Sequence, residues 1–167
     1  MTSSGSATVM LPADDQILIR REFDAPRHLV YEAWTTPELV KRWWNAKRGE
    51  VTIAEIDLRV GGTWRYVMVT DEGGFEVGFH GEFREIVPNE RIVSTEIFEG
   101  MPGDQPPPED GAALNTVTFA EVDGRTTLTI LAEHASKEVR DAVIATGMEA
   151  GMQDAMDLLE EVARSLR

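Results

Sequence analysis

The residues of this chain with the means to act on a substrate are its three histidines and a few strand-borne carboxylates. His28 sits beside Arg27 and Glu32 in a helical pattern and reads as solvated. His80 and Glu82 are two apart in a strand pattern and share a sheet face, and His134 ends the last strand. Two imidazoles and a carboxylate would suit a divalent metal, yet the spacing of His80, Glu82 and His134 follows no ligand motif. Hydrogen-bonded structural histidines and no metal are the expectation. Glu96 shares a face with Ser94 and Phe98, and Glu55 and Asp57 share one with Val51 and Ile53. An inward carboxylate among apolar side chains would have a raised pKa and could exchange protons. Asp57 and Arg59, beside Gly61 and Gly62, are expected instead to pair with each other. No serine lies in a Gly-x-Ser-x-Gly elbow. Gly61-Gly62 and Gly73-Gly74 lie between strands, so they read as hairpin turns and not as phosphate loops. No catalytic residue and no cofactor is expected.

Aromatic and sulfur-bearing residues carry more information. All four tryptophans fall early, at Trp34, Trp43, Trp44 and Trp64. If helical, Trp43 and Trp44 point ~100° apart, so one packs beneath the sheet while the other lines a pocket mouth or a partner surface. Met148, Met152 and Met156 recur every four residues and face a sheet bearing Trp64, Tyr66, Met68, Phe79 and Phe83. Such flexible thioethers opposite aromatic rings suit a pocket that accepts varied apolar molecules. Trp34 and Trp44 complete this candidate ligand-binding set. Gly147 and Gly151 cost ~1 kcal/mol each relative to alanine in a helix, which implies close helix–sheet contact or space left for a ligand.

The elements that must hold these residues follow from periodicity. Residues 1–14 are small, polar and patternless, and read as a flexible leader to a single domain over 15–167. A strand is expected over 16–23. Pro26 and then Thr36-Pro37-Glu38 announce two short helices, the second running out near Trp43 and Trp44. Strands with a period of two follow at 51–58, 63–70, 75–87 and 91–98. Residues 99–113, rich in proline and glycine, exceed an ordinary hairpin connection and could gate a site. A hairpin over 114–133 turns at Asp123-Gly124, and one long amphipathic helix covers 139–166. Seven antiparallel strands curving around a long terminal helix give an α+β fold that encloses a cavity.

With 30 acidic against 16 basic residues, the formal net charge is −14. A phosphate backbone or an anionic leaflet would be repelled, so neither nucleic acid nor membrane is an expected partner. Cysteine is absent, which excludes disulfides and thiol chemistry and suits a reducing compartment. No signal-peptide pattern and no apolar run of ~20 residues is present, so a cytoplasmic protein is expected.

The segments Phe23-Asp24-Ala25-Pro26, Ala33-Trp34-Thr35, Pro37-Glu38, Trp43-Trp44 and Asp57 to Gly62 resemble the signature of the homologues of the activator of heat-shock-protein-90 ATPase. Residues 81–93 resemble that family's central hairpin, and 147–152 the terminal-helix motif of its stand-alone bacterial members. The resemblance spans about residues 16–166. It implies the START-like, or polyketide-cyclase, helix-grip fold with a hydrophobic pocket. The binding of a small hydrophobic or aromatic ligand is the leading expectation. A co-chaperone or homodimerising partner, and a cyclase- or hydrolase-type enzyme using an inward acid or histidine, are the alternatives.

Overall fold

The computed structural model describes residues 7–99 and 112–167. It begins with strands β1 (Thr8–Met10) and β2 (Gln16–Phe23), followed by helices α1 (Arg27–Thr35) and α2 (Pro37–Trp43). Strands β3 (Gly49–Ile56), β4 (Thr63–Thr70), β5 (Glu76–Val87) and β6 (Arg91–Phe98) come next. The hairpin β7 (Ala113–Val122) and β8 (Arg125–Glu133) precedes helices α3 (Lys137–Ala145) and α4 (Met148–Ser165). The suggested gate falls mostly within residues 100–111 and lies outside the described residues. Among the described residues, no helix is long and apolar enough to cross a membrane.

The strands form one antiparallel sheet of eight, in the order β1-β2-β8-β7-β6-β5-β4-β3. The sequence pattern yields seven because β1 is too short to show alternation. Its pairing of Val9 with Ile19 places it on the sheet edge, inside the segment read as a patternless leader. One face of the sheet is apolar and meets the helices. On β2 that face carries Ile17, Ile19 and Phe23, each at most 7% exposed. The β7 contribution is Val117 and Phe119. Bulges between Val51 and Ile53 on β3 and between Phe83 and Glu85 on β5 bend the sheet around the helices.

Arg21 shares that apolar face and is buried. Its Nη2 lies 3.2 Å from both Asp157 Oδ1 and Glu160 Oε1 of α4, and the other Glu160 oxygen accepts the Asp24 amide. A cation in the core is tolerable only with such partners, and here the pairing fixes α4 against β2. Met156, Leu159, Val162 and Ala163 bury the rest of the α4 stripe against α1, α2 and the sheet.

The terminal helix is two helices. Gly147 adopts φ +80°, closing α3 and serving as the N-cap of α4. This left-handed conformation costs other residues energy and breaks the helical ladder. The i, i+4 spacing runs through the break, so period alone could not reveal it. At Gly147 and Gly151 an added Cβ would meet nothing within 4 Å among the described residues. The expected close helix–sheet contact at these glycines is therefore absent. Ser136 caps α3, accepting the Val139 amide.

Candidate functional site

The helix-facing surface of β3 to β6 builds an aromatic wall. Alternation on β4 aims Trp64, Tyr66 and Met68 to that side, and Phe79 and Phe83 of β5 join them. Trp64 and Tyr66 ring centroids lie 4.9 Å apart. Trp44, just after α2, meets Tyr66 edge-on at 5.5 Å and Phe79 at 5.8 Å. Phe98, at the end of β6, lies 5.1 Å from Phe79 and is 43% exposed, so it forms the rim. Phe83 and Met156 are buried in the same cluster, with Met152 packed against it.

Other expected wall residues sit elsewhere. Trp34 stacks on Trp43 at 5.0 Å and meets Phe119 edge-on at 6.2 Å, within the core under α1. The buried partner of the tryptophan pair is Trp43, whose Nε1 donates to the Ala33 carbonyl at 2.9 Å. Met148 packs with Ala7, Ile17 and Ile19 at the β1–β2 end. Met68 is half-buried and pairs with Val51 and Val77 across the sheet.

Inside the wall lies a polar niche. Alternation from Ile92 and Ser94, both buried, carries Glu96 to the inner face of β6. On β7, Asn115 opposes Ser94 and hydrogen-bonds the Glu96 carboxyl. Tyr66 stands two strands away on β4. Gly81 of β5, opposite Trp64, carries no side chain, and the Trp64 indole and the Thr95 carbonyl take up the room. A Cβ there would strike the Thr95 carbonyl and lie 2.7 Å from Trp64 Nε1.

Burial pushes the Glu96 carboxyl above the usual carboxylate range, and the Asn115 hydrogen bond only partly opposes this. Burial likewise pushes the Tyr66 phenol well up, and the charge of Glu96 adds to the effect. Both side chains are hemmed in by protein, yet both residues retain some accessible surface. Trp64 Nε1 is buried and has no hydrogen-bond partner among the described residues.

The remaining candidates for chemistry resolve as structure. His80 Nδ1 lies 2.9 Å from Glu99, which also receives two Arg65 hydrogen bonds at 2.9 Å. Arg65 holds the Glu99 carboxyl below its usual range. His80 and Glu82 alternate away from the inner-face Phe79 and Gly81, and Glu82 pairs with Arg84. His134 follows the inner-face Leu128, Ile130 and Ala132 on β8. Its Nε2 is buried without a partner among the described residues. Burial and then Arg140 lower its pKa, against Asp15, which raises it. The metal trio is therefore split between two faces, and no group of three metal-binding side chains occurs among the described residues. Asp57 pairs with Arg59 as the sequence indicates, at 2.9 Å, and Glu55 is exposed. His28 is exposed on α1. An open depression at the end of α4, lined by Glu161, Arg164, Ser165 and Arg167, has no aromatic wall.

A curved antiparallel sheet gripping a long C-terminal helix, with two short helices after the strand that leads into them, defines the helix-grip, START-like class. The family described as "Activator of Hsp90 ATPase homolog 1-like protein" matches residues 24–164, and the chain belongs to it. A solved protein from Rhodobacter sphaeroides superposes with a TM-score of 0.83 at 26% identity, over 96% of this chain and 99% of that one. One from Arthrobacter aurescens gives 0.82 at 25%, over 95% and 91%. The AHSA1-like protein from Aeromonas hydrophila gives 0.65 at 21%, over 89% and 93%, a likeness of fold alone. No curated protein sequence matches.

Asn115 is the residue of the niche that sequence reasoning missed. Its signal was available, since it lies two and four residues before the inward Val117 and Phe119.

Proposed function

We infer that this protein binds a small hydrophobic or aromatic molecule between α4 and the inner face of β3 to β6. The observation that supports the reading is the run of Trp44, Trp64, Tyr66 and Phe79 rings on the inner face, with the exposed Phe98 at its rim. Apolar walls with a few convergent polar groups are the usual composition of a small-molecule site. The unbranched Met152, on the α4 side, adapts to ligands of differing shape. Trp44 and Trp64 in the wall make binding visible. Titration with apolar aromatic molecules should shift or quench tryptophan emission to saturation, and an unchanged signal across the series refutes the reading. On this view the protein leaves the ATPase turnover of heat-shock protein 90 unchanged when added to it.

A second reading is favoured by the position of Glu96. An inward carboxyl with a raised pKa can serve as a general acid. Under that reading Glu96→Gln abolishes turnover of a bound molecule while leaving its affinity in place.

A further inference from the structure

We propose that the seat between the edge of β2 and α4 is a docking site for an extended segment of a partner protein, held closed by residues 7–10 of this chain. The proposal stands apart from the ligand-binding reading above. Ala7 is buried, and the side chain of Gln153 on α4 holds both of its main-chain groups. Gln153 Oε1 accepts the Ala7 amide at 3.0 Å, and Gln153 Nε2 donates to the Ala7 carbonyl at 2.8 Å. A side-chain amide placed in this way imitates a neighbouring strand and recognises the main chain of whatever lies there. The next three residues pair with the edge of β2, Thr8 opposite Arg20, Val9 opposite Ile19 and Met10 opposite Leu18. Strand addition at a sheet edge is a recurrent mode of peptide binding, with affinity from main-chain hydrogen bonds and specificity from alternate side chains.

The alternation defines the partner. Ala7 and Val9 turn inward and pack with Ile17, Ile19 and Met148, while Thr8 and Met10 are exposed. A competing segment therefore carries a small residue at the first position and an apolar one two residues later, with little demand on the residue between. The hold of β1 is short, three residues of ladder followed by the exposed residues 11–14. An uncovered β2 edge beside Ile17 and Ile19 would invite aggregation, and a short covering strand guards it until a partner arrives. Tethering keeps residues 7–10 at a high effective concentration, so the partner must outcompete them.

The test follows a fluorescein-labelled peptide of residues 5–12 by anisotropy with the full-length protein. Val9→Asp in the protein sets a charge among apolar side chains and should expel its own strand. The peptide should then bind about tenfold more tightly, or better, than to the unaltered protein, which must first release its tethered strand. A peptide that itself carries Val9→Asp should not bind. Adding Gln153→Ala to the Val9→Asp protein should weaken the peptide about tenfold, as two ordinary hydrogen bonds would. Equal binding to the unaltered and Val9→Asp proteins, equal binding of the two peptides, or no effect of Gln153→Ala overturns the proposal. A concentration-dependent dimer of the unaltered protein that the peptide dissociates also overturns it, since the occupant is then a second copy. Hydrogen exchange of the unaltered protein covers the case in which Val9→Asp does not fold. The amides of residues 7–10 should exchange about a hundredfold faster than those of β8, and equal protection rules out a displaceable strand.

Discussion

The break at Gly147 makes one substitution act in opposite directions at two glycines a single helical turn apart. At both positions an added methyl meets nothing within 4 Å among the described residues, so packing contributes little to either change. Gly147 holds φ +80°. An alanine in that left-handed conformation costs roughly 1–2 kcal/mol. The reduced freedom of the unfolded chain offsets about 0.4–1 kcal/mol of this. A net loss of about 1 kcal/mol remains for Gly147→Ala. Gly151 lies within α4 in ordinary helical geometry, so Gly151→Ala should gain about 1 kcal/mol, the difference in helix propensity. For a domain of this size each kcal/mol moves the melting midpoint by about 2–4 °C. Reversible thermal unfolding followed by circular dichroism should therefore show midpoints displaced to opposite sides of the parent. If Gly147→Ala stabilises as much as Gly151→Ala, residues 139–166 form one continuous helix and the break is wrong.

Three further outcomes follow from the packing. Gly81→Ala places a methyl against the Thr95 carbonyl and Trp64 Nε1; it should lower stability by about 1–3 kcal/mol and change tryptophan emission, and a silent variant would show that β5 does not need the gap. Glu160→Ala removes a buried carboxylate partner of Arg21, leaving the half-exposed Asp157 beside it, and removes the acceptor for the Asp24 amide. Denaturant unfolding should register a loss of about 3 kcal/mol, and a loss below about 1 kcal/mol would contradict the role of this pair. Because the folded pKa of Glu96 is raised, the folded state holds that proton more tightly. Its stabilising contribution is present below the ordinary carboxylate pKa of about 4.3 and is lost as pH rises through the folded value. Glu96→Gln should thus exceed the parent in stability at pH 7, with the gap closing on acidification below that pKa. A variant less stable than the parent at pH 7 refutes the burial of a charge there.

Some of this architecture was legible in the sequence because a single physical signal decided it. Strict alternation in β4 and β5 placed Trp64, Tyr66, Phe79 and Phe83 on one face, and the angle between helical neighbours separated Trp43 from Trp44. The shared face of Glu96, Ser94 and Phe98 followed in the same way, while its inward direction came only with the burial of Ser94. Where two signals competed, the reading failed. Arg21 looks like a solvent residue by type, and only its partners on α4, more than a hundred positions away, permit it to be buried. Strand β1 owes its existence to pairing with β2 and not to its own pattern. The helical stripe concealed the turn at Gly147, because a glycine at helical spacing suits either conformation. Trp34 stacks on Trp43, and Met148 packs at the β1–β2 end, contacts that composition could not specify. Composition proposes wall residues, and contacts alone select among them.

The central claim is that an aromatic molecule lodges against Trp44 and Trp64, away from Trp34 and Trp43. The four tryptophan indole N–H signals in a nuclear magnetic resonance spectrum report on this directly. As naphthylmethanol is added, the Trp44 and Trp64 signals should move progressively to saturation while those of Trp34 and Trp43 stay in place. Four stationary signals, or movement confined to Trp34 and Trp43, would contradict the account.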